Sequence, residues 1–194
     1  VKTLLEGNAR WSVGKSIHPG SDFARRECVA NEGQKPFAAL LSCADSRVPP
    51  ELLFDQGIGD LFVVRQAGNS VDKLNLQSLE YAVDHLGVEA ILVLGHQNCG
   101  AVKGAVDSYP AAVPEFLALI YPAIANAAEI ISERLGIRDQ KEALRHETVD
   151  QHVIAGVRQL RTNNSFKPRI QRGTLAVIGG RYDLDNGRVT ILIE

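Results

Sequence analysis

An α/β fold, built on a mostly parallel central sheet with helices on both faces, is predicted by three observations. Short runs of β-branched and aliphatic residues recur along the 194-residue chain. Stretches with the 3.6-residue period of a helix lie between them. The short runs are nearly continuously apolar instead of alternating, as strands buried on both faces must be.

The elements follow in order. Residues 1–10 and 21–31 read as two short helices joined by "GKSIHPGS". They form a helical arm over 1–35 that packs either on another subunit or on its own sheet. The first strand is "FAALLSC" (37–43) and the second "LFVVRQA" (61–67). In "KLNLQSLEYAVDHLG" the residues Leu79, Ala82, Val83 and Leu86 fall at i, i+3, i+4 and i+7, which marks a helix, and Gly87 stops it. The third strand is "AILVLGH" (90–96). Residues 114–163 interrupt the rhythm with two helical stripes. One consists of Phe116, Ile120, Ala123, Ala127, Ile130 and Ile131, where Pro122 should kink or break the helix. The other is Val149, Val153, Val157 and Leu160. A fourth strand, "TLAVIGGRYDL" (174–184), meets the turn signal "DNG" and then "RVTILIE", an antiparallel edge strand. We read one domain, with an α/β core over 36–113 and helices and closing strands over 114–194.

Composition narrows the function. A hydrophobic fraction of 45%, a charged fraction of 23% and a formal charge of −2 describe an ordinary globular chain, with no electrostatic reason to expect nucleic acid or an anionic membrane as partner. The longest apolar run, "FLALIYPAIA" (116–125), is short of a membrane span and reads as a core helix. Three cysteines are not a disulfide framework and favour metal or catalytic chemistry. The N-terminus lacks the apolar stretch of a secretory signal. The expected location is the cytoplasm, with export of a processed form to the periplasm or an organelle as the alternative, since the chain starts at Val1 and contains no methionine.

The chemistry is concentrated at two strand ends. After the first strand come Cys43, Asp45 and Arg47, which share a face if the extended conformation persists. After the third come His96 and Cys99, spaced H-x-x-C. In a parallel sheet both groups reach the carboxyl edge, where ligands bind. Two sulfurs and one imidazole with an open fourth position are a catalytic zinc set, and soft thiolates argue against magnesium or calcium. Either motif alone is weak evidence; an Asp–Arg pair by itself is usually structural. Cys28 reads as a passive thiol, and His18, His85, His146 and His152 as surface or capped histidines.

The segments "CADSRVPPE", "GDLFVVRQAGN", "SLEYAVDHLG" and "GHQNCGAV", with "LLEGNARW" before them and "GGRYDLDNGRV" after, resemble the β-class carbonic anhydrases over essentially the whole chain. The resemblance implies that Cys43, His96 and Cys99 hold one Zn2+ per chain, and that Asp45 and Arg47 form the family's dyad. In one state the arginine holds the carboxylate, which accepts a hydrogen bond from zinc-bound water; in another Asp45 swings onto the metal as fourth ligand. The implied reaction is attack of zinc-bound hydroxide on carbon dioxide, giving bicarbonate and a proton. Two thiolates cancel the formal charge of zinc, so the hydroxide is expected to form on the alkaline side of neutrality. The helix beginning after Cys99 is expected to favour that thiolate, and Gly100 to let a backbone N–H approach bicarbonate.

The resemblance also places Gln34, Phe62, Ala67 and Tyr81 around a hydrophobic substrate pocket formed across a dimer interface, so a homodimer, tetramer or larger homo-oligomer is implied. The glutamine, phenylalanine and tyrosine belong to the plant-like open branch. Leu40 stands where the branch with a regulatory bicarbonate site needs tryptophan. The chain departs from the pattern at Gln66, in Arg65-Gln66-Ala67-Gly68-Asn69, where many relatives carry Arg-Asn-x-x-Asn; altered packing near the pocket is the expected consequence. Two other readings stay open: hydrolysis of a carbon dioxide analogue such as carbon disulfide, and a non-catalytic scaffold with structural zinc.

Overall fold

The computed structural model describes residues 1–132 and 140–194. Among them a five-stranded sheet runs in the order β2-β1-β3-β4-β5, formed by β1 (Ala38–Ser42), β2 (Leu61–Arg65), β3 (Ala90–His96), β4 (Ala176–Tyr182) and β5 (Val189–Ile193). The first four strands in that order are parallel, and β5 is antiparallel to β4. Both central strands, β1 and β3, are buried along their whole length, as the uninterrupted apolar runs required.

The two faces carry separate cores. On one, Ala39, Leu41, Ile91, Val93 and Val177 pack against Leu79 and Val83 of α4 (Lys73–His85) and Val153, Val157 and Leu160 of α8 (Gln140–Arg161). On the other, Ala38, Leu40, Leu92, Leu94 and Ile178 meet Leu4 of α1 (Lys2–Trp11) and Leu53 and Phe54 at the end of α3 (Pro50–Leu53). Helix α8 lies close to the sheet because β3 and β4 offer it no side chain at Gly95 and Gly179. A Cβ at either would stand 2.6 Å from a Val153 methyl, closer than atoms pack.

The arm divides. Helix α1 belongs to its own subunit's core. Leu4 is fully buried, the Asn8 amide donates to the Leu53 and Gly187 carbonyls, and Arg10 pairs with buried Asp55. Asp55 also accepts from the backbone N–H groups of Ile17 and His18, which pins the turn after α1. Helix α2 (Phe23–Glu32) buries no residue of its own. It is tied down by Arg25, which donates to the Ile58 carbonyl and Asp60, while Phe23 stays exposed.

Pro122 breaks the first long stripe as expected. Helix α6 (Glu115–Ala118) ends and α7 (Tyr121–Ser132) restarts with the proline in its first turn, where a missing N–H costs nothing. Ile120, Ala123, Ala127 and Ile131 are buried, whereas Phe116 is exposed. The segment Glu115–Ser132 is apolar over more residues than the run noted in the sequence, enough by length and composition to cross a membrane. Here it is broken into two helices, and Ile120 and Ile124 face α5 (Gly100–Ser108) and α8 in a third core.

Candidate metal centre

The sheet order decides where chemistry can occur. From β1 the chain crosses through α3 to β2 on one side; from β3 it leaves through α5 toward β4 on the other. Neighbours whose connections diverge leave a crevice at their carboxyl ends. Ser42 pairs with Leu94, so Cys43, one residue beyond that pair, and His96, two beyond at the end of β3, lie at the mouth of this crevice. Asn98, in the left-handed region at φ 54°, turns the chain so that Cys99 precedes the first turn of α5.

Cys43, His96 and Cys99 converge there. Their donor atoms lie within 4.8 Å of one another, and all three residues are buried. The two sulfurs are 3.9 Å apart. His96 Nδ1 lies 2.8 Å from the Gln97 carbonyl, which can only accept, so Nδ1 carries the proton. In the neutral ring Nε2 is then the lone-pair nitrogen, and it is buried and without a hydrogen-bond partner among the described residues. A buried imidazole nitrogen aimed at two thiols fits a soft divalent metal, and zinc in particular.

The thiols are electrostatically unequal. Cys43 is held well below the ordinary thiol range, first by its hydrogen bond with Cys99, against burial, with the Gly68 and Asp45 N–H groups helping. Cys99 is pushed up by that same bond, by burial and by the Cys43 charge. The Ala101 and Val102 N–H groups at the helix start pull the other way and do not prevail. The helix start thus favours the Cys99 thiolate, in the expected direction, but is outweighed by Cys43: two sulfurs at this distance resist carrying two charges without a cation between them.

Asp45 lies at the rim. Arg47 Nε donates to Oδ1 at 3.0 Å and a terminal guanidinium nitrogen to Oδ2 at 2.7 Å, while the Arg47 backbone N–H also reaches Oδ1 at 2.9 Å. These contacts, led by the side-chain bond, hold the Asp45 carboxyl far below the usual carboxylate range, despite some burial. Oδ2 remains 3.8 Å from His96 Nε2, near the three donors but outside hydrogen-bonding distance.

The remaining candidates are not gathered by one chain. Phe62 and Tyr81 pair with each other, rings tilted and centroids 6.1 Å apart. Phe62 stands opposite Ala39, four strand positions before Cys43 and so roughly 13 Å from it along the sheet. Gln34 and Ala67 are exposed. Gly100, first residue of α5, is exposed, and an added Cβ there would meet nothing. A cavity of about 500 Å3 borders the cluster only through Cys99; its lining includes Gln97, Arg145, His146 and Arg181 but neither Cys43 nor Asp45. It flanks the metal centre and is not the chamber onto which Asp45 opens.

Several supporting residues escaped the sequence reading. Arg65 Nε donates to the Cys43 carbonyl and a terminal nitrogen to the Asp45 carbonyl, clamping the segment that carries both. The Gly68 N–H points at the Cys43 sulfur at 3.4 Å. Gln66, the departure from the family pattern, accepts from the Asn75 amide of α4, and Asn75 also donates to the Ser70 carbonyl; the longer side chain spans to the helix and staples the loop. His152 is buried, not on the surface. Its signal was present: it falls three after Val149 and one before Val153, inside the apolar stripe. His18, His85 and His146 are exposed, and Cys28 is a free, half-buried thiol.

Comparison with known proteins agrees with this geometry. Residues 38–189 match the family model described as carbonic anhydrase. The chain is 40% identical over 196 residues to carbonic anhydrase 2 of Mycobacterium tuberculosis, covering 98% of this chain and 90% of that protein. It is 37% identical to a carbonic anhydrase of Mycolicibacterium smegmatis over 199 residues, with the same coverage. Among solved structures, a tetrameric β-carbonic anhydrase of Sordaria macrospora superposes with a TM-score of 0.76 at 30% identity, over 97% of this chain and 94% of that one. The Coccomyxa β-carbonic anhydrase bound to acetazolamide gives 0.71 at 31% identity, over 98% and 85%.

Proposed function

The chain belongs to the β-carbonic anhydrase family, and from that premise we propose that it catalyses the reversible hydration of carbon dioxide to bicarbonate and a proton, with one zinc ion held by Cys43, His96 and Cys99. The observation that carries the assignment is the bare, buried Nε2 of His96 facing two sulfurs. Bound there, zinc would supply a Lewis acid that makes water a nucleophile near neutral pH.

The chain's own groups do the rest. Asp45 remains ionised and has only acceptor oxygens, so a water beside the three donors must turn a proton toward it and its lone pair away, toward an incoming carbon atom. Arg47 keeps the carboxylate in that role by occupying its other lone pairs. The pairing supports the open-site branch, and so does Leu40, which is packed inside the sheet where the regulated branch has an indole. Gly100, exposed as the first residue of α5, would offer its N–H to an anionic product. Gln34, Phe62, Ala67 and Tyr81 would complete an apolar pocket in a homodimer or tetramer. The distance of Phe62 from its own Cys43 supports a pocket shared between subunits, and the tetrameric Sordaria relative supports such an assembly.

Stopped-flow hydration of carbon dioxide from about pH 6.5 to 9, with zinc measured in the same sample, tests the proposal. About one zinc per chain and a rate that climbs toward alkaline pH are expected, because two thiolates leave the metal less acidifying than three imidazoles would. Full zinc with no hydration anywhere in that range would overturn it in favour of an analogue hydrolase or a scaffold.

A further inference from the structure

His152 lies in the buried stripe of α8 between Val149, Val153 and Gly156, an apolar setting that demands a partner for each ring nitrogen it encloses. Its Nε2 is 2.9 Å from the Gly68 carbonyl and 3.1 Å from the Ser70 hydroxyl. The carbonyl only accepts, so Nε2 carries the proton. Burial pushes the His152 pKa down to about 4, with the Gly68 carbonyl opposing, so the ring is neutral near pH 7 and donates as an ordinary imidazole N–H.

The residue it grips is the one whose N–H meets Cys43. Gly68 adopts φ 85°, where other residues are strained, and a Cβ there would sit 3.1 Å from Ile120 and 3.2 Å from Ala101. Only glycine fits. Yet glycine is the residue least able to hold its own torsion, so the direction of its N–H has to be set from outside. From the N-terminal side, the Gln66 backbone and side chain do this through Ser42 and Asn75. From the C-terminal side the anchor on the Gly68 carbonyl is His152.

We propose that His152 is a positioning residue for the metal centre: by fixing the Gly68 carbonyl it aims the Gly68 N–H at the Cys43 sulfur. That hydrogen bond draws charge from the thiolate and restrains its rotation, which retains the metal. The inference rests on the reading of Cys43 as a zinc ligand. Partners of this kind, one step removed from the ligands, typically change metal affinity or activity by roughly 10- to 100-fold.

The test compares the zinc-loaded wild type with His152→Gln, whose amide can still donate, and His152→Phe, which keeps the volume and loses the donor. Zinc transfer to a chromophoric chelator is timed at one pH near neutrality. The sulfur-to-cobalt charge-transfer band is recorded after cobalt replacement. The expected result is release from His152→Phe accelerated by about 10-fold or more, with a displaced band, and His152→Gln within about 3-fold of wild type. Equal release and equal bands in all three proteins would overturn the inference. So would a glutamine variant as leaky as the phenylalanine one, since that pattern indicates ring packing alone. If His152→Phe does not fold, His152→Leu carries the same expectation. A wild type that takes up no zinc would instead remove the underlying reading of Cys43.

Discussion

Arg47 grips Asp45 through both carboxylate oxygens, at 3.0 and 2.7 Å, while Oδ2 stands 3.8 Å from the lone pair of His96. The carboxylate is therefore close enough to reach a metal and is held back by a neighbour two residues away. Asp45→Asn preserves the shape but turns one acceptor into a donor. It should keep about one zinc per chain and lower kcat by roughly 100-fold, the scale of losing a positioned acid–base partner. Wild-type turnover in a zinc-replete Asp45→Asn protein would remove Asp45 from the mechanism.

The Asp45 carboxyl titrates far below its ordinary range. Its charge is constant above about pH 5, so the alkaline rise in hydration between 6.5 and 9 should persist in Asp45→Asn, lower in height and moved toward lower pH because a negative charge beside the water is gone. Loss of the alkaline rise in the variant would show that Asp45 itself had set the profile.

Of the three free cysteines, only Cys43 and Cys99 lie in the cluster. Cys43→Ser should lose most of its zinc and its activity, whereas Cys28→Ser should retain both. Zinc analysis beside the hydration assay distinguishes them. Chelation of wild-type zinc should also lower the thermal midpoint, since a ligand that binds only the folded state stabilises it.

Asp55 is buried against Arg10 and the N–H groups of Ile17 and His18. Burial raises its pKa, but these partners outweigh it and the folded value is lowered. The stabilisation is consequently present above the unfolded pKa of about 4 and is lost as pH falls through the folded value. Asp55→Asn should cost about 2–3 kcal/mol at pH 7, with a gap to wild type that narrows in acid. Urea unfolding of both proteins at pH 7 and near pH 3.5 measures it; a gap that widens in acid would reverse the sign argued here.

Gly179→Ala would push a methyl to 2.6 Å from Val153 and 2.9 Å from Val157. The expected penalty is about 1–3 kcal/mol, read as a lowered unfolding midpoint. Because the displaced helix carries His152, zinc release should quicken as well.

The strands, most helices and the members of the candidate metal-binding cluster were legible in the amino-acid sequence, because these are written in short-range patterns. Apolar runs report burial on both faces, the 3.6-residue period reports helices, and Cys43, Asp45, Arg47, His96 and Cys99 sit at or just after the ends of strands that must lie at one edge. The folded arrangement added the relationships between partners far apart in the chain. It made β1 and β3 hydrogen-bonded neighbours, so that their ends share one crevice. It brought Arg65 onto the Cys43 and Asp45 carbonyls, Asp55 onto the end of α1, and His152 under a loop 84 residues away. It also separated Phe62 from Cys43 of its own chain. Local periodicity records which face of an element is buried; it holds no record of which distant backbone group a buried donor will meet, because that depends on how whole elements pack.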